Sequence, residues 1–117
     1  MSYLRYKVAA AHIAPVFLDV EATIDKACSL IGEAAGNGAE LIVFPEVYIP
    51  AFPVWLALQA PIHNHDLFRE LADNTIRAPS AELAKVGETA RTHGIFVSLG
   101  FNEGTQTSSG CIWNSNV

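Results

Sequence analysis

Four consecutive apolar residues, Leu41 to Phe44, are the feature that most constrains the fold of this chain. A strand with one face in solvent alternates between apolar and polar residues, whereas an unbroken apolar run of this length predicts a strand buried on both faces. Such strands belong to sheets that other layers of the protein cover. One proline after the run, the chain places a carboxylate, Glu46.

A helix is predicted before this strand. Asp19 is a suitable N-cap, and "GNG" at 36–38 provides a C-terminal stop. A first core strand is predicted over about 6–13. Strand, helix and strand then form a β-α-β unit, and the length of its crossover implies parallel pairing. The apolar residues of the helix recur at helical spacing: Val20, Ile24, Ala27, Cys28, Ile31, Ala34 and Ala35.

The remaining sequence predicts two more helices and two more strands. The helices are expected over about 64–75 and from Ser80 to His93 and Gly94, and the strands over 95–101 and 111–117. The fold class is therefore α/β. We expect the four strands to form one sheet with helices on one face only, because these helices suffice for one side. The chain would then be the N-terminal part of a larger domain.

Composition excludes several classes of function. Of the 117 residues, 50% are hydrophobic and 16% are charged, which is typical of a globular domain. The net charge is −5 and the seven Lys and Arg residues form no cluster, which argues against nucleic acid as a partner. Prolines at 50, 53 and 61 interrupt the longest uncharged stretch, so no membrane-spanning helix is expected. Two cysteines without ligand spacing favour a reduced, cytoplasmic protein.

Glu46 has two interpretations from the residues alone. The carboxyl ends of parallel strands border the crevice in which α/β sheets bind ligands, so a carboxylate there is a candidate for acid–base chemistry. Alternatively, Glu46 turns into solvent where a loop begins. Position along the chain leaves both interpretations open.

The stretch "GAELIVFPEVYIPAFP", residues 38–53, resembles the signature of the nitrilase or carbon–nitrogen hydrolase superfamily. The resemblance extends over the whole chain, because "KVAAAHIAPVFLDVEATIDKA", "IFVSLGFNE" and "GCIWNSN" follow in the family's order. The segment "PVWLALQAPIHNHDLF" is similar to the nitrilase branch of that superfamily. We therefore expect residues 1–117 to be the N-terminal portion of a single carbon–nitrogen hydrolase domain.

The resemblance implies an α-β-β-α four-layer sandwich and a Glu, Lys, Cys triad that needs no cofactor. Glu46 matches the family's glutamate, the general base that takes the thiol proton and later activates water. The lysine and the nucleophilic cysteine have no match in these residues, so this chain alone is expected to be inactive. The implied reaction converts small organic nitriles to carboxylic acid and ammonia, and the implied assembly is a homo-oligomer, often a spiral.

Phe52 and Trp55 are the candidate substrate-binding residues. Ala51 and Phe52 stand where the family signature has Gly and Tyr, which removes a hydroxyl near the pocket. Trp55 follows the signature loop and either lines the substrate pocket or anchors the loop as a buried aromatic residue.

Two other functions remain open. An amidase or carbamoylase of the same superfamily would use the same base on an amide carbonyl. A non-catalytic α/β ligand-binding module would need a glycine-rich loop after the first strand, and "HIAPVFLDV" contains no glycine. Cys28 and Cys111 are expected to be small core residues rather than nucleophiles. His63 and His65 lack a third ligand at suitable spacing, so no metal site is predicted.

Overall fold

The computed structural model describes residues 3–108 and 110–117. Its order of strands and helices confirms the predicted α/β class. No helix within those ranges is both long and apolar enough to span a bilayer. In chain order, the elements are β1 (Val8–Ala10), α1 (Val20–Gly36), β2 (Leu41–Val43), α2 (His65–Asp73), α3 (Ala81–His93), β3 (Phe96–Ser98), β4 (Gly100–Glu103) and β5 (Trp113–Asn116), with short 3-10 helices at Val54–Ala57 and Pro61–His63.

Side-chain caps begin the two long helices where the sequence predicts them. Asp19 accepts a hydrogen bond from the Ala22 amide at 2.9 Å at the start of α1. Ser80 accepts one from the Leu83 amide at 3.2 Å at the start of α3. Gly94 follows α3 with a left-handed backbone, φ 63°, a conformation that glycine adopts without steric cost. The two helices pack against each other, and their buried residues form the main core with one face of the sheet.

In the described part of the chain, five strands form two sheets. β1, β2 and β3 make a parallel sheet in that order, with Ala9, Ile42 and Val97 side by side. β4 and β5 make a separate antiparallel pair. The expected single sheet of four strands is therefore wrong, and so is a continuous strand over 95–101. β1 pairs over three residues only, fewer than the predicted 6–13.

The chain changes from one sheet to the other at Leu99. Up to Ser98, whose carbonyl accepts a hydrogen bond from the Phe44 amide at 2.8 Å, the chain follows β2. Beyond Ser98, β2 offers no further backbone partner, because the segment after β2 turns away from the sheet at Pro45. Leu99 instead exchanges two hydrogen bonds with Val117, at 2.8 and 3.1 Å, and β4 continues from there beside β5.

One face of the parallel sheet has no cover among the described residues. Ile42 faces the core and is 3% exposed, whereas Val8 and Phe96 on the other face are 55% and 79% exposed. With Tyr6 and Leu41 they line an apolar depression of about 510 Å³. This confirms that the helices cover one face only. Within this chain the strand after α1 is thus buried on one face, not on the expected two.

Candidate active site

Glu46 begins a turn, residues 46–48, shortly after β2 ends. The next residue, Val47, has a left-handed backbone with φ 41° and is buried. For a β-branched residue this conformation costs on the order of 1–3 kcal/mol, and it persists only where the surrounding structure holds it. The backbone that carries Glu46 is therefore under external constraint.

Gly100, the first residue of β4, supplies the closest support of this turn. A Cβ atom at Gly100 would lie 2.7 Å from the carbonyl oxygen of Pro45 and 2.8 Å from the amide nitrogen of Val47. Both neighbours are backbone atoms, which cannot rotate away as a flexible side chain can. Only glycine allows β4 to approach so closely, so the turn rests directly on the backbone of β4.

β4 also holds the loop beyond the turn. The Ile49 amide donates to the Gly100 carbonyl at 3.3 Å, and the Asn102 amide donates to the Ile49 carbonyl at 2.7 Å. The Asn102 side chain is buried, and its Nδ2 donates to the Ala51 carbonyl at 3.0 Å. Backbone and side chain of one strand thus fix the loop at Ile49 and Ala51.

Tyr48 anchors the same turn from the core side. Its ring packs against Phe44 with a centroid separation of 5.1 Å, and its hydroxyl donates to the Ala14 carbonyl at 3.3 Å. Burial raises the pKa of Tyr48, because desolvation disfavours the phenolate. The hydroxyl therefore remains a hydrogen-bond donor throughout the neutral pH range.

The Glu46 carboxylate is exposed and lines a pocket of about 260 Å³. The side chain of Asn114, on β5, donates from Nδ2 to Glu46 Oε1. A carboxylate beside an apolar pocket is placed to accept a proton from a group that reacts there. The other lining residues are mostly apolar: Val47, Phe52, Pro53, Phe68, Leu71 and Ile112, with Asn102 as a second amide.

Glu46 and Phe52, predicted as site residues, lie together at this pocket, but Trp55 is not among the lining residues. Trp55 is buried and packs edge-on against Phe17 and Phe68, with ring centroids 5.9 and 5.7 Å away. Because Phe68 lines the pocket, Trp55 supports its wall from behind. Direct contact of Trp55 with a substrate stays a prediction.

Sequence reasoning misses four residues of this site: Gly100, Asn102, Asn114 and Phe68. Phe68 lies in the helix predicted over about 64–75, and the sequence gives no signal that links it to the site. Strands are depleted in asparagine, so Asn102 in "GFNE" and Asn114 in "WNSN" are unusual where they stand. That composition is the one signal that could have pointed to them.

The two cysteines lie outside this pocket. The prediction that Cys111 is a core residue is wrong, because β5 begins only at Trp113 and Cys111 is exposed in the preceding turn. The Ser108 hydroxyl donates to its Sγ at 3.3 Å. Cys28 is half-buried against the main core, as predicted.

The described residues do not supply a full set of groups for nucleophilic catalysis. Within 3–108 and 110–117, no cationic side chain and no thiol line the Glu46 pocket. His63 and His65 are exposed, and the same part of the chain holds no group of three or more His, Cys, Asp or Glu residues able to bind a metal. The site consists of one acid, two amides and an apolar wall.

Comparison with known proteins identifies relatives of this amino-acid sequence. The sequence profile described as carbon-nitrogen hydrolase matches residues 7–117. The chain is 41% identical over 111 residues to an arylacetonitrilase of Hypocrea virens, which covers 95% of this chain and 32% of that protein. It is 38% identical over 102 residues to a nitrilase of Bacillus sp., covering 87% and 30%. A cyanide hydratase of Stereum hirsutum is 36% identical over 103 residues, covering 88% and 28%. The chain thus spans about a third of the length of these relatives.

Proposed function

This chain belongs to the carbon-nitrogen hydrolase family, and we propose that it supplies the general base, Glu46, of a nitrilase. The observation that carries the proposal is the Glu46 carboxylate, which lines an apolar pocket and is held there by the amide of Asn114. The names of the relatives, nitrilase and arylacetonitrilase, support the choice of nitriles as substrates.

The proposed reaction uses two groups from outside these 117 residues, a cysteine and a lysine. Glu46 takes the thiol proton, and the thiolate attacks the nitrile carbon to form a thioimidate. The nitrogen gains that proton, while the lysine stabilises the negative charge that develops on it. Water activated by Glu46 adds to the thioimidate and expels ammonia, which leaves a thioester. A second water molecule hydrolyses the thioester to carboxylic acid and regenerates the thiol.

The hydrogen bonding of Glu46 suits a proton acceptor. Asn114 donates to one carboxylate oxygen, Oε1, and no other residue in the described part of the chain donates to Glu46. The second oxygen can therefore receive the proton of a reacting thiol without first breaking a hydrogen bond within the protein.

The pocket walls support a substrate with an aromatic or other apolar substituent. Phe52 is 51% exposed and Phe68 is 37% exposed, so both rings keep surface that a substrate could cover. Such rings gain from offset or edge-on packing with an aromatic group in addition to the area that they bury. We propose Phe52 as a direct substrate contact and Trp55 as the support behind Phe68.

We also propose that residues 1–117 form the N-terminal portion of one domain. Two findings support this: the relatives are about three times as long as the chain, and the open face of the parallel sheet carries exposed Val8 and Phe96. A further layer of the same domain would cover that face. Homo-oligomer formation and a cytoplasmic location stay predictions, which size-exclusion chromatography and cell fractionation would test.

Replacement of Glu46 by Gln in the full-length protein tests the proposal. The amide keeps the shape but cannot accept the thiol proton, so we expect turnover of arylacetonitriles to fall by about 10² to 10⁴-fold with the fold retained. Glu33→Gln is the matched control, because Glu33 is exposed on α1 and does not line the pocket. Near-normal turnover of the Glu46→Gln enzyme would falsify the assignment. A panel of nitriles with the corresponding amides separates a nitrilase from an amidase or carbamoylase.

A further inference from the structure

Asn114 is placed to control the Glu46 carboxylate. It lies in the middle of β5, directly opposite Asn102 of β4, and its Nδ2 reaches Glu46 Oε1 across 68 residues of sequence. Among residues 3–108 and 110–117, no other side chain hydrogen-bonds to Glu46. The orientation of the acid thus depends on a single amide.

We propose that Asn114 is a positioning residue for the general base: its amide holds one carboxylate oxygen of Glu46 so that the other faces the reacting thiol. This inference rests on the proposed role of Glu46. A glutamate that is exposed at a turn samples several staggered rotamers, and only some of them direct the carboxylate into the pocket. A hydrogen bond to an ionised carboxylate is stronger than one between neutral groups, so it selects among those rotamers.

The fold fixes Asn114 on both sides along β5. The Ser115 hydroxyl donates to Glu103 Oε2 at 2.6 Å, and Val117 closes the strand pair with Leu99 through two backbone hydrogen bonds. Asn102 lies opposite Asn114 on β4, and its side-chain amide hydrogen-bonds to the loop that follows Glu46. The turn that contains Glu46 packs against β4, and pairing with β4 sets the register of β5. The amide of Asn114 is therefore held at a defined position relative to Glu46.

Three substitutions of Asn114 in the full-length enzyme test the proposal, with a fourth variant as control. Asn114→Ala removes the donor, and we expect kcat to fall by about 10- to 100-fold with KM within about twofold of wild type. Asn114→Asp keeps the shape but places a second carboxylate beside Glu46, so we expect a lower kcat than that of Asn114→Ala. Asn114→Gln retains an amide donor, and its kcat should lie between wild type and Asn114→Ala.

Asn116→Ala is the matched control. Asn116 lies two residues further along β5, on the same face, and its Oδ1 accepts a hydrogen bond from the Ser98 hydroxyl at 3.0 Å, away from Glu46. We expect its kcat to be close to wild type. Asn114 is exposed, so none of its replacements leaves a core cavity, and thermal midpoints within a few degrees of wild type will verify folding.

The outcomes distinguish this inference from the proposed function. Wild-type kcat in both Asn114→Ala and Asn114→Asp, together with an inactive Glu46→Gln enzyme, overturns the positioning role and leaves Glu46 as the base. An equal loss in Asn116→Ala and Asn114→Ala also overturns it, since the effect would then belong to β5 as a whole. Normal turnover of Glu46→Gln overturns both.

Discussion

Gly100→Ala is the substitution that most directly tests how the turn that carries Glu46 is supported. The added Cβ would lie 2.7 Å from the Pro45 carbonyl oxygen and 2.8 Å from the Val47 amide nitrogen, whereas ordinary contact begins at 3.4 Å. The turn or β4 must therefore move by about 0.7 Å, since neither backbone atom can rotate away. Either movement changes the position of Glu46 relative to β4, because its Cα would lie only 3.2 Å from the new methyl group.

The size of the effect follows from that displacement. Overpacking of this kind costs about 1–3 kcal/mol, which lowers the melting temperature of a domain about three times the length of this chain by roughly 1–4 °C. A misplacement of about 1 Å in a catalytic group costs up to about 100-fold in rate, so we expect kcat to fall about 10- to 100-fold. Steady-state kinetics on an arylacetonitrile and thermal unfolding of the full-length protein measure both effects.

Gly87→Ala provides the control within the same chain. Gly87 is exposed in the middle of α3, and a Cβ there meets nothing within 4 Å apart from the backbone of its own helix. Alanine favours the helix at such a position, so we expect unchanged kinetics and a gain of about 0.5–1 kcal/mol in unfolding free energy. Gly100→Ala with wild-type kcat and melting temperature would refute the conclusion that close approach of β4 holds the turn.

Two further predictions concern the exposed thiol and the open sheet face. Cys111 is exposed and does not line the Glu46 pocket, so Cys111→Ala should preserve turnover and change the unfolding free energy by no more than about 0.5 kcal/mol. A substrate adduct mapped to Cys111 by mass spectrometry would contradict this expectation. The isolated 117-residue chain should aggregate, because Val8 and Phe96 expose an apolar face, and it should release no ammonia from nitriles. Static light scattering that reports a stable monomer, or measurable ammonia release, would show that prediction to be wrong.

Local signals allowed much of the fold to be predicted. Asp19 and Ser80 cap their helices as their side chains suggest, and Gly94 ends α3 in the conformation that glycine favours. Parallel pairing of β1 with β2 followed from the length of the helix between them. Each of these features depends on residues that are close in sequence or on a general rule of chain connection.

The division into two sheets could not be predicted, because it depends on distant partners. The run 95–101 is apolar apart from Ser98, and nothing within it indicates that Leu99 would pair with Val117 instead of following β2. The interaction of Asn114 with Glu46 arises only through that change of sheet. Contact distances at Gly100 were likewise unpredictable, since a glycine within a strand indicates a close approach without naming the neighbour.

The change of sheet at Leu99 also sets the order in which pairing partners become available during synthesis. The ribosome makes the chain from the N-terminus, so the two partners of a long-range contact become available one after the other. The parallel sheet has all three strands once Ser98 has emerged, but β4 has no antiparallel partner until residues 113–116 follow. Asn114, which donates to the Glu46 carboxylate, is synthesised 68 residues after Glu46. In this part of the chain, all three strands of the parallel sheet are therefore present before the hydrogen-bond donor of the Glu46 carboxylate.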